Sequence, residues 1–390
     1  MKQMHTDVVI IGSGLVGLVA AHGLASLGFE VVVVDKKNFN NSKNQTKDIR
    51  TVAVSEGSKK FLESLSLWKN LYKYSQPIKN IKVFNRNPYN KIFFENSKQN
   101  ALLGYVIKNS IFSKILRSKL SKNKKIKTHY GSEVKHIVSS HDFSQISLKD
   151  KIIKAKLIIA ADGKNSTVRN IVGTKIYKKN YSEMALVVNL FHEKSLNETA
   201  YEIFYKTGPF ALLPMLSDNN FYQSSIIWSN KESFVKHLLS SDKKFISNII
   251  EERVGGLIGS VKKINSRQSF PLSAHINEKF FNKRLIYIGD SAHSIHPIAG
   301  QGWNLGIKDV KNVMSLCESN KFELGDENFC KHYNNLSYKN SFQLFQITDK
   351  LNSHFLKSNF SNRLLSNIGF KIIENNISMK DKITKFAMGI

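Results

Sequence analysis

One stretch near the N-terminus limits the possible fold more than any other: a buried strand, a glycine-rich turn, a helix and a second strand. The first strand is predicted over residues 7–11, and Gly12, Gly14 and Gly17 follow it with the spacing G-x-G-x-x-G. In this pattern the first glycine makes a tight turn, the second lets a pyrophosphate approach the backbone, and the third lets the helix pack on the sheet. With Leu15 at the start of the helix, the stretch predicts a Rossmann-like, dinucleotide-binding α/β domain.

An acidic residue completes this fingerprint. The second strand, predicted over 31–34, ends at Asp35, and this residue follows Gly12 at roughly the 20-residue spacing typical of the motif. Its carboxylate can accept hydrogen bonds from the hydroxyls of a ribose. Since an arginine would be needed here to bind a 2′-phosphate, Asp35 favours FAD or NAD over NADP.

A second motif lies in the C-terminal half, where the sequence GDSAHSIHPIAGQGWNLG occupies residues 289–306. The apolar run 285–288 before it predicts a short buried strand, so Gly289 and Asp290 would lie at the carboxyl end of that strand. Open α/β sheets bind ligands at this edge. Asp290 can accept hydrogen bonds from a sugar-like chain, which predicts a flavin site. The alternative is an ordinary strand-loop-helix turn.

The same motif predicts a helix N-terminus beside the ligand. Gly300 and Gly302 would let the main chain approach a flat ring closely. The helix is expected to begin near Trp303 or Asn304. Its positive end would then stabilise the negative charge that a reduced flavin carries.

A third motif lies between these two. Residues 156–160 predict another buried strand, which leads into ADGKNSTVR at 161–169. From the residues alone, Asp162 either contacts a ligand together with Gly163 or caps the following turn.

The two later motifs carry a family resemblance. ADGKNSTVR and GDSAHSIHPIAGQGWNLG resemble the DG and GD motifs of the single-component FAD monooxygenases that share the para-hydroxybenzoate hydroxylase fold. The version HPIAGQGWNLGIKDV, at 296–310, is similar to that of the ubiquinone-biosynthesis hydroxylases of the UbiH/UbiF/VisC type. Further similar stretches are DIRTVAV at 48–54, LGYV at 103–106, GPFALLP at 208–214, FPL at 270–272 and AMG at 387–389. The chain departs from the family pattern at Lys108, where glutamate is usual, and at Ser66, where glycine is usual.

The resemblance implies a reaction and its partners. A protein of this family hydroxylates the aromatic ring of a polyprenylated phenol through a flavin C4a-hydroperoxide, using O2 and electrons from NAD(P)H or a separate reductase. The chain has no second G-x-G-x-x-G fingerprint for a nicotinamide, so the electron donor stays open. Two other functions remain possible from sequence: a flavin-dependent oxidoreductase acting on an isoprenoid or other small aromatic without oxygen insertion, and a basic binding subunit without turnover.

Motifs and resemblance together assign the site. The residues expected to bind FAD are Gly12, Gly14, Leu15, Gly17, Asp35, Arg50, Asp162, Gly163, Gly289, Asp290, Gly300, Gln301, Gly302 and Asn304. By resemblance, Pro297 lines the oxygen site, and His296 either relays a proton or makes a structural hydrogen bond. Four residues are candidate walls of the substrate pocket, although their alternating spacing also fits a protein core: Phe204, Phe210, Leu212 and Trp228. No Ser/His/Asp triad or metal-ligand cluster is apparent, which fits a reaction that relies on its cofactor.

Because the three motifs are far apart in sequence but must meet at one FAD, the FAD-binding domain is expected to be discontinuous. The sequence predicts it over 1–75, 98–177 and 268–345. An inserted, sheet-rich substrate domain is predicted over 76–97 and 178–267, and a C-terminal helical region over 346–390.

Composition adds expectations about location. The chain has 390 residues, a formal charge of +28 and two cysteines, Cys317 and Cys330, which lack metal-ligand spacing and fit a reducing cytoplasm. No run approaches the roughly 18 apolar residues of a membrane span, and no signal peptide is recognised. The lysines are scattered without interleaved aromatics, which argues against nucleic acid but would favour an anionic lipid surface. The mixed apolar and basic C-terminal region therefore predicts either packed helices or a peripheral contact with the inner face of the membrane or with other ubiquinone-biosynthesis proteins.

Overall fold

The computed structural model describes residues 2–39, 48–85, 87–95, 101–218, 220–356 and 369–389. Part of the predicted C-terminal helical region, residues 357–368, lies outside this description. Two large sheets and one small sheet organise the described chain. The predicted α/β class is therefore confirmed, while the predicted domain boundaries stay a prediction.

The first sheet has eight strands, and its centre is parallel. In spatial order its main path is β17 (Phe281–Asn282), β18 (Leu285–Tyr287), β11 (Lys151–Ala160), β1 (Lys2–Ile11), β2 (Val31–Asp35) and β8 (Ile126–Tyr130), with β10 (Ser144–Ser147) pairing with β11 and with β9 (His136–Ser139). Helix α1 (Leu15–Ser26) connects β1 to β2. The strand residues 8–10 and 31–34 are buried, as expected for central strands of a parallel sheet covered on both faces.

The second sheet also has eight strands. In spatial order they are β19 (His293–Ser294), β16 (Val261–Asn277), β12 (Ile176–His192), β15 (Phe221–Lys231), β14 (Gly208–Asp218), β13 (Thr199–Tyr205), β5 (Asn80–Asn85) and β6 (Asn87–Glu95). Helices α6 (Glu232–Ser240) and α7 (Lys243–Ile258) cover one face, and their buried side chains share a core with that face. A third sheet contains β3 (Thr51–Ser55), β7 (Gly104–Lys108) and β4 (Ser75–Ile78).

Strand β13 shows how the second sheet separates its two faces. Tyr201 and Ile203 pack into the core shared with α6 and α7. By contrast, Ala200 and Phe204 join clusters that contain residues of the third sheet, of the GD motif and of residues 369–389, which we call the C-terminal segment. Successive side chains of a strand point to opposite faces. The face that carries Ala200 and Phe204 is therefore the one turned toward the third sheet and the GD motif, and we call it the cleft face.

The remaining helices pack around these sheets. They are α2 (Glu56–Ser64), α3 (Trp68–Leu71), α4 (Asn109–Leu120), α5 (Thr167–Val172), α8 (Gln301–Ser319), α9 (Glu327–Leu356) and α10 (Ile377–Met388), with further helical residues at 369–375. Cys317 lies in α8 and Cys330 in α9, and burial raises the pKa of both thiols to about 12, which keeps them protonated. Within the described ranges, no helix is both long enough and apolar enough to cross a bilayer.

Candidate active site

The parallel strands bring the three motifs to one edge of the first sheet. The N–H of Ala161 donates to the carbonyl of Ile11 at 2.7 Å, and the N–H of Ile288 donates to the carbonyl of Ala160 at 3.0 Å. These bonds align the carboxyl ends of β1, β11 and β18. The glycine turn after β1, the DG motif after β11 and the GD motif after β18 consequently lie together at one edge of the sheet, where open α/β sheets bind ligands. We call the space beside these three motifs the cleft.

The glycine turn is closely packed on one side and open on the other. Gly12 has φ +109°, and a Cβ there would lie 2.3 Å from the carbonyl oxygen of Ala161. A Cβ on Gly17 would lie 2.2 Å from the carbonyl oxygen of Gly12. By contrast, a Cβ on Gly14 would meet no described atom within 4 Å. The open space at the N-terminus of α1 fits a pyrophosphate.

The glycine turn after β1 also fixes the side chain of Asp35. Its Oδ2 accepts hydrogen bonds from both the N–H and the hydroxyl of Ser13, each at 2.7 Å. Arg117 of α4 donates to the carbonyl of Ser13 at 3.0 Å, and its guanidinium lies 3.7 Å from the centroid of the Phe39 ring. The sequence did not predict the role of Arg117, because no spacing links α4 to the fingerprint.

Arg50 borders the cleft from the segment before β3. Its guanidinium donates two hydrogen bonds to Asp48, both at 2.8 Å, and lies 5.0 Å from the centroid of the Phe270 ring. Desolvation raises the pKa of Asp290, and the charge of Arg50 is one of those that oppose this rise, so the two side chains lie in the same region. The predicted contact of Arg50 with FAD remains a prediction.

Asp162 combines the two roles that the sequence left open. One carboxylate oxygen accepts the N–H of Val168 at 3.0 Å and caps the turn before α5. The other oxygen is buried without a hydrogen-bond donor in the described part of the chain. Burial raises the pKa of Asp162. Gly163 has φ +85° and would leave a Cβ in open space, so the DG turn keeps room for a ligand.

Arg169, the last residue of the DG motif, ties that motif to the GD motif. It donates to His275 Nε2 at 2.9 Å, to the carbonyl of Ser291 at 3.1 Å and to the carbonyl of Lys164 at 2.6 Å. Burial, followed by the charge of Arg169, lowers the pKa of His275 to about 3, so its neutral ring can accept the hydrogen bond. The sequence motif contains Arg169, but only the fold reveals this linking role.

Asp290 presents an unpaired carboxylate to the cleft. It is exposed, and no described residue donates a hydrogen bond to its side chain. The surrounding protein raises its pKa by desolvation, while His293, Arg50 and Lys164 oppose this shift. A polyhydroxyl chain such as the ribityl group of FAD would supply the missing donors.

A second aspartate, Asp309, is buried and fixes the turn at Gly289. Asp309 Oδ2 accepts the N–H of Gly289 at 2.9 Å and lies 2.7 Å from His293 Nε2. Both side chains are almost fully buried. The sequence contains Asp309 within the GD stretch, but nothing in its spacing marked it as the residue that fixes Gly289.

Helix α8 starts earlier than the sequence indicated. It begins at Gln301 rather than near Trp303 or Asn304, because Gly300 adopts a left-handed conformation, φ +61°, that ends the preceding turn. The Asn304 side chain donates to the carbonyl of Ala53 at 2.9 Å and accepts the N–H of Ser55 at 3.0 Å. Asn304 thus fixes the helix against β3. Gln301 and Gly302 form the first turn, whose positive end can stabilise negative charge on a ring.

His296 is buried at the start of the loop 296–300, which the resemblance assigns to the oxygen site and which we call the oxygen-site loop. Its side chain is 0% exposed, and neither ring nitrogen has a hydrogen-bond partner among the described residues. Its Nε2 lies 3.6 Å from Glu183 Oε2, and its ring packs edge-on against Tyr181. Ser182, which lies between Tyr181 and Glu183 in the chain, has φ +52° at a bulge in β12. Pro297 follows directly and precedes a single 3-10 turn, Ile298–Gly300.

Three of the four predicted pocket residues belong to the core instead. Phe210, Leu212 and Trp228 pack against α6 and α7, on the face opposite to the cleft. Phe204 lies on the cleft face, in a cluster with Ile298 of the oxygen-site loop. The alternating pattern identified two faces of each strand, but it did not reveal which face the helices cover.

Comparisons with known proteins support FAD as the cofactor. Residues 5–328 match the family described as FAD binding domain. The chain is 28% identical over 387 residues to ubiquinone hydroxylase UbiL of Rhodospirillum rubrum, covering 98% of this chain and 89% of that protein. It is 25% identical to 3-demethoxyubiquinol 3-hydroxylase of Escherichia coli, covering 100% of both.

Solved structures share the fold. The crystal structure of p-nitrophenol 4-monooxygenase PnpA from Pseudomonas putida is similar with a TM-score of 0.77 and 17% identity, covering 100% of this chain and 98% of that one. At this identity the likeness concerns the fold alone. Because the family match extends over most of the chain, this protein belongs to the FAD binding domain family, and the predicted cofactor, FAD, is confirmed.

Proposed function

We propose that this protein is an FAD-dependent monooxygenase that hydroxylates the aromatic ring of a polyprenylated phenol in ubiquinone biosynthesis. The observation that carries the proposal is that three distant motifs meet at one edge of the first sheet. There, Asp290 has no donor among the described residues, and Phe204 on the cleft face of the second sheet packs with Ile298 of the GD motif. The substrate class comes from relatives named as ubiquinone hydroxylases, which match along nearly the whole chain. These names also disfavour the alternative reaction without oxygen insertion.

Different residues bind the different parts of FAD. Asp35 binds the adenosine ribose, the N-terminus of α1 binds the pyrophosphate, and Asp290 binds the ribityl chain. The first turn of α8, at Gln301 and Gly302, supports the ring. When bound and reduced, FAD supplies the activation of O2 and the transfer of one oxygen atom to the substrate.

Apolar residues beside the oxygen-site loop exclude water. Phe204, Ile92, Ile298 and Phe370 form a buried cluster that joins the second sheet, the GD motif and the C-terminal segment. A dry site strengthens electrostatic interactions and prevents side reactions with water. Behind Pro297, the closely spaced His296 and Glu183 can hold a proton.

The electrons come from NAD(P)H or from a separate reductase. The chain offers no second dinucleotide fingerprint to decide between these donors. Other ubiquinone-biosynthesis proteins are further candidate partners.

The C-terminal segment is the proposed contact with an anionic membrane at its inner, cytoplasmic face. Ile372, Ile377 and Met379 are 54%, 81% and 41% exposed around the junction of the last two helical stretches, and the exposed Lys371 and Lys382 lie beside them. Apolar side chains flanked by lysines are typical of interfacial helices. Phe370 and Ile373 of the same segment pack toward the cluster at Ile298 and Phe204. A substrate with a long prenyl chain would thereby reach the cleft from the bilayer.

Deletion of the gene tests the proposal in the cell. We expect a quinone precursor that lacks one ring hydroxyl to accumulate, as measured by mass spectrometry of extracted lipids, and the parent gene to restore the quinone. The missing hydroxyl would identify the ring position. Normal quinone levels with no accumulated precursor would contradict the proposal.

A further inference from the structure

Glu202 is a carboxylic acid on the cleft face of β13. It lies two residues before Phe204 on the same face of the strand, and Phe204 belongs to the cluster with Ile298 of the oxygen-site loop. Glu202 is half-buried, and no described residue forms a hydrogen bond or an ion pair with it. The cleft face of the second sheet therefore carries an acid without a partner.

The surroundings of Glu202 on this face are apolar. Its partners in the neighbouring strands are Ala211 on β14 and Val83 on β5, and Ala200 and Phe204 flank it along β13. A carboxyl group placed among such side chains costs free energy unless a ligand satisfies it. An unpaired acid in an apolar cleft is consequently a candidate functional group.

Most charged groups of the neighbouring elements are occupied elsewhere. On α9, which also contacts β13, Asp349 pairs with Lys179 at 2.6 Å, and Lys350 and His354 are the other titratable groups near its C-terminal end. Lys82 of β5 belongs to the other face, where its Nζ lies 5.9 Å from the Tyr201 ring centroid. On the C-terminal segment, Glu374 and Lys380 form an ion pair at 3.2 Å, and Glu374 also accepts the N–H of Phe93. Near the oxygen-site loop, His296 faces Glu183.

Resting on the proposed function, we propose that Glu202 binds the ring hydroxyl of the phenolic substrate and accepts its proton. The phenol O–H bond breaks, a carboxyl O–H bond forms on Glu202, and the electron pair stays on the phenolate oxygen, which makes the ring more electron-rich. No oxidant or reductant is needed for this step. The proton returns to the product oxygen before release. Desolvation raises the pKa of Glu202 to about 8, a range in which a carboxyl group can both accept and return a proton.

Binding of a simple phenol to the FAD-loaded protein tests this role without turnover. The probe is a phenol carrying one isoprene unit, and its dissociation constant is measured from the change in flavin absorbance at several pH values. If the ionised carboxylate is the form that binds, affinity should rise about tenfold between about pH 7 and about pH 9. Glu202→Gln should abolish this rise, and Glu202→Asp should retain part of it.

Glu252→Gln is the matched control, because Glu252 is exposed on α7, which covers the other face of the sheet. It should behave like the parent protein. Retention of the full pH-dependent rise in Glu202→Gln would overturn the inference and leave the proposed function standing. If Glu202→Gln does not bind FAD, the same titration is carried out with Glu202→Ala. Loss of the pH-dependent rise in affinity then supports the inference, and its full retention overturns it. If the parent protein neither binds nor hydroxylates the phenol, the proposed function fails, and the role of Glu202 fails with it.

Discussion

The aspartates around the cleft differ in their hydrogen-bond partners and exposure, and these differences indicate different roles. Asp309 is buried and satisfied by Gly289 and His293, so it is structural. Asp162 uses one oxygen as a cap and leaves the other without a donor. Asp290 has no donor among the described residues and is exposed to the cleft. An acceptor kept open in this way fits a ligand better than a packing role.

Asp290→Ala should lose FAD while the fold is kept. A hydrogen bond to a charged group contributes about 1.5–3 kcal/mol, so the affinity for FAD should fall by roughly 10–100-fold. The measurement is a titration of the FAD-free protein with FAD, followed by the quenching of flavin fluorescence. Asp150→Ala, in an exposed turn, serves as the control. An Asp290→Ala variant that binds FAD like the parent would show that the ribityl contact is placed wrongly.

Glu202 should make stability depend on pH. Its folded pKa, about 8, lies above the ordinary value of 4.5, so between these values the folded protein holds a proton that the unfolded chain has lost. Stability therefore falls as pH rises through this window. Glu202→Gln removes the effect and should raise the melting temperature by roughly 2–4 °C at high pH, but not below the unfolded pKa. Thermal unfolding of both FAD-free proteins across pH measures this, and a constant difference would contradict it.

Helix α1 and the residue that caps its N-terminus carry two glycines of the fingerprint in different surroundings, Gly17 against the backbone of Gly12 and Gly14 beside open space. Gly17 allows α1 to approach the carbonyl of Gly12, whereas the position of a Cβ on Gly14 is open. The two substitutions by alanine should consequently separate packing from binding.

Gly17→Ala should destabilise the FAD-free protein, because a Cβ at 2.2 Å from a backbone oxygen forces α1 away from the sheet. Gly14→Ala should leave the FAD-free protein nearly as stable as the parent but weaken FAD binding, since the methyl group takes space beside the pyrophosphate. Urea unfolding and FAD titration of both variants measure the two effects. Equal loss of stability in the two variants would refute this division of roles.

The C-terminal segment has one face that packs against the rest of the protein and one face that is exposed. Phe370 and Met388 pack inward, while Ile377 is exposed beside the lysines. Ile377→Asp should therefore reduce binding to anionic lipid vesicles by roughly tenfold or more, because it replaces an apolar side chain of the proposed membrane contact with a charge. Co-sedimentation with anionic and neutral vesicles measures this. Val138→Asp, at a 62% exposed position on β9, is the control, and equal loss in both variants would argue against this contact.

Across the whole molecule, the sequence predicted what local patterns encode. Each cofactor motif follows a run of apolar residues, and an observed strand lies at each run. Strands β1 and β11 begin five residues earlier than predicted, and β18 ends one residue earlier. The linking residues were missed because their partners are distant in sequence: Arg169 meets His275, and Arg117 meets Ser13. Only the assembled fold reveals such contacts.

The predicted residues of the substrate pocket show a second limit of prediction from sequence. In strands β13 to β15, alternation divided the side chains into two faces, but hydrophobicity did not reveal which face the helices cover. Phe210 and Trp228 pair directly across β14 and β15 in the core. Glu202 lies on the cleft face and was missed, because an isolated acid in a strand carries no motif.

The proposed function requires that FAD bound at this cleft transfers one atom of O2 to a phenolic ring. The most direct measurement incubates the purified, FAD-loaded protein with a chemical reductant, isotope-labelled O2 and a prenylated phenol, and follows the product by mass spectrometry. We predict a hydroxylated phenol that contains one labelled oxygen atom, and no such product with the FAD-free protein. Reoxidation of the flavin with an unlabelled product, or with an unchanged phenol, would contradict the claim.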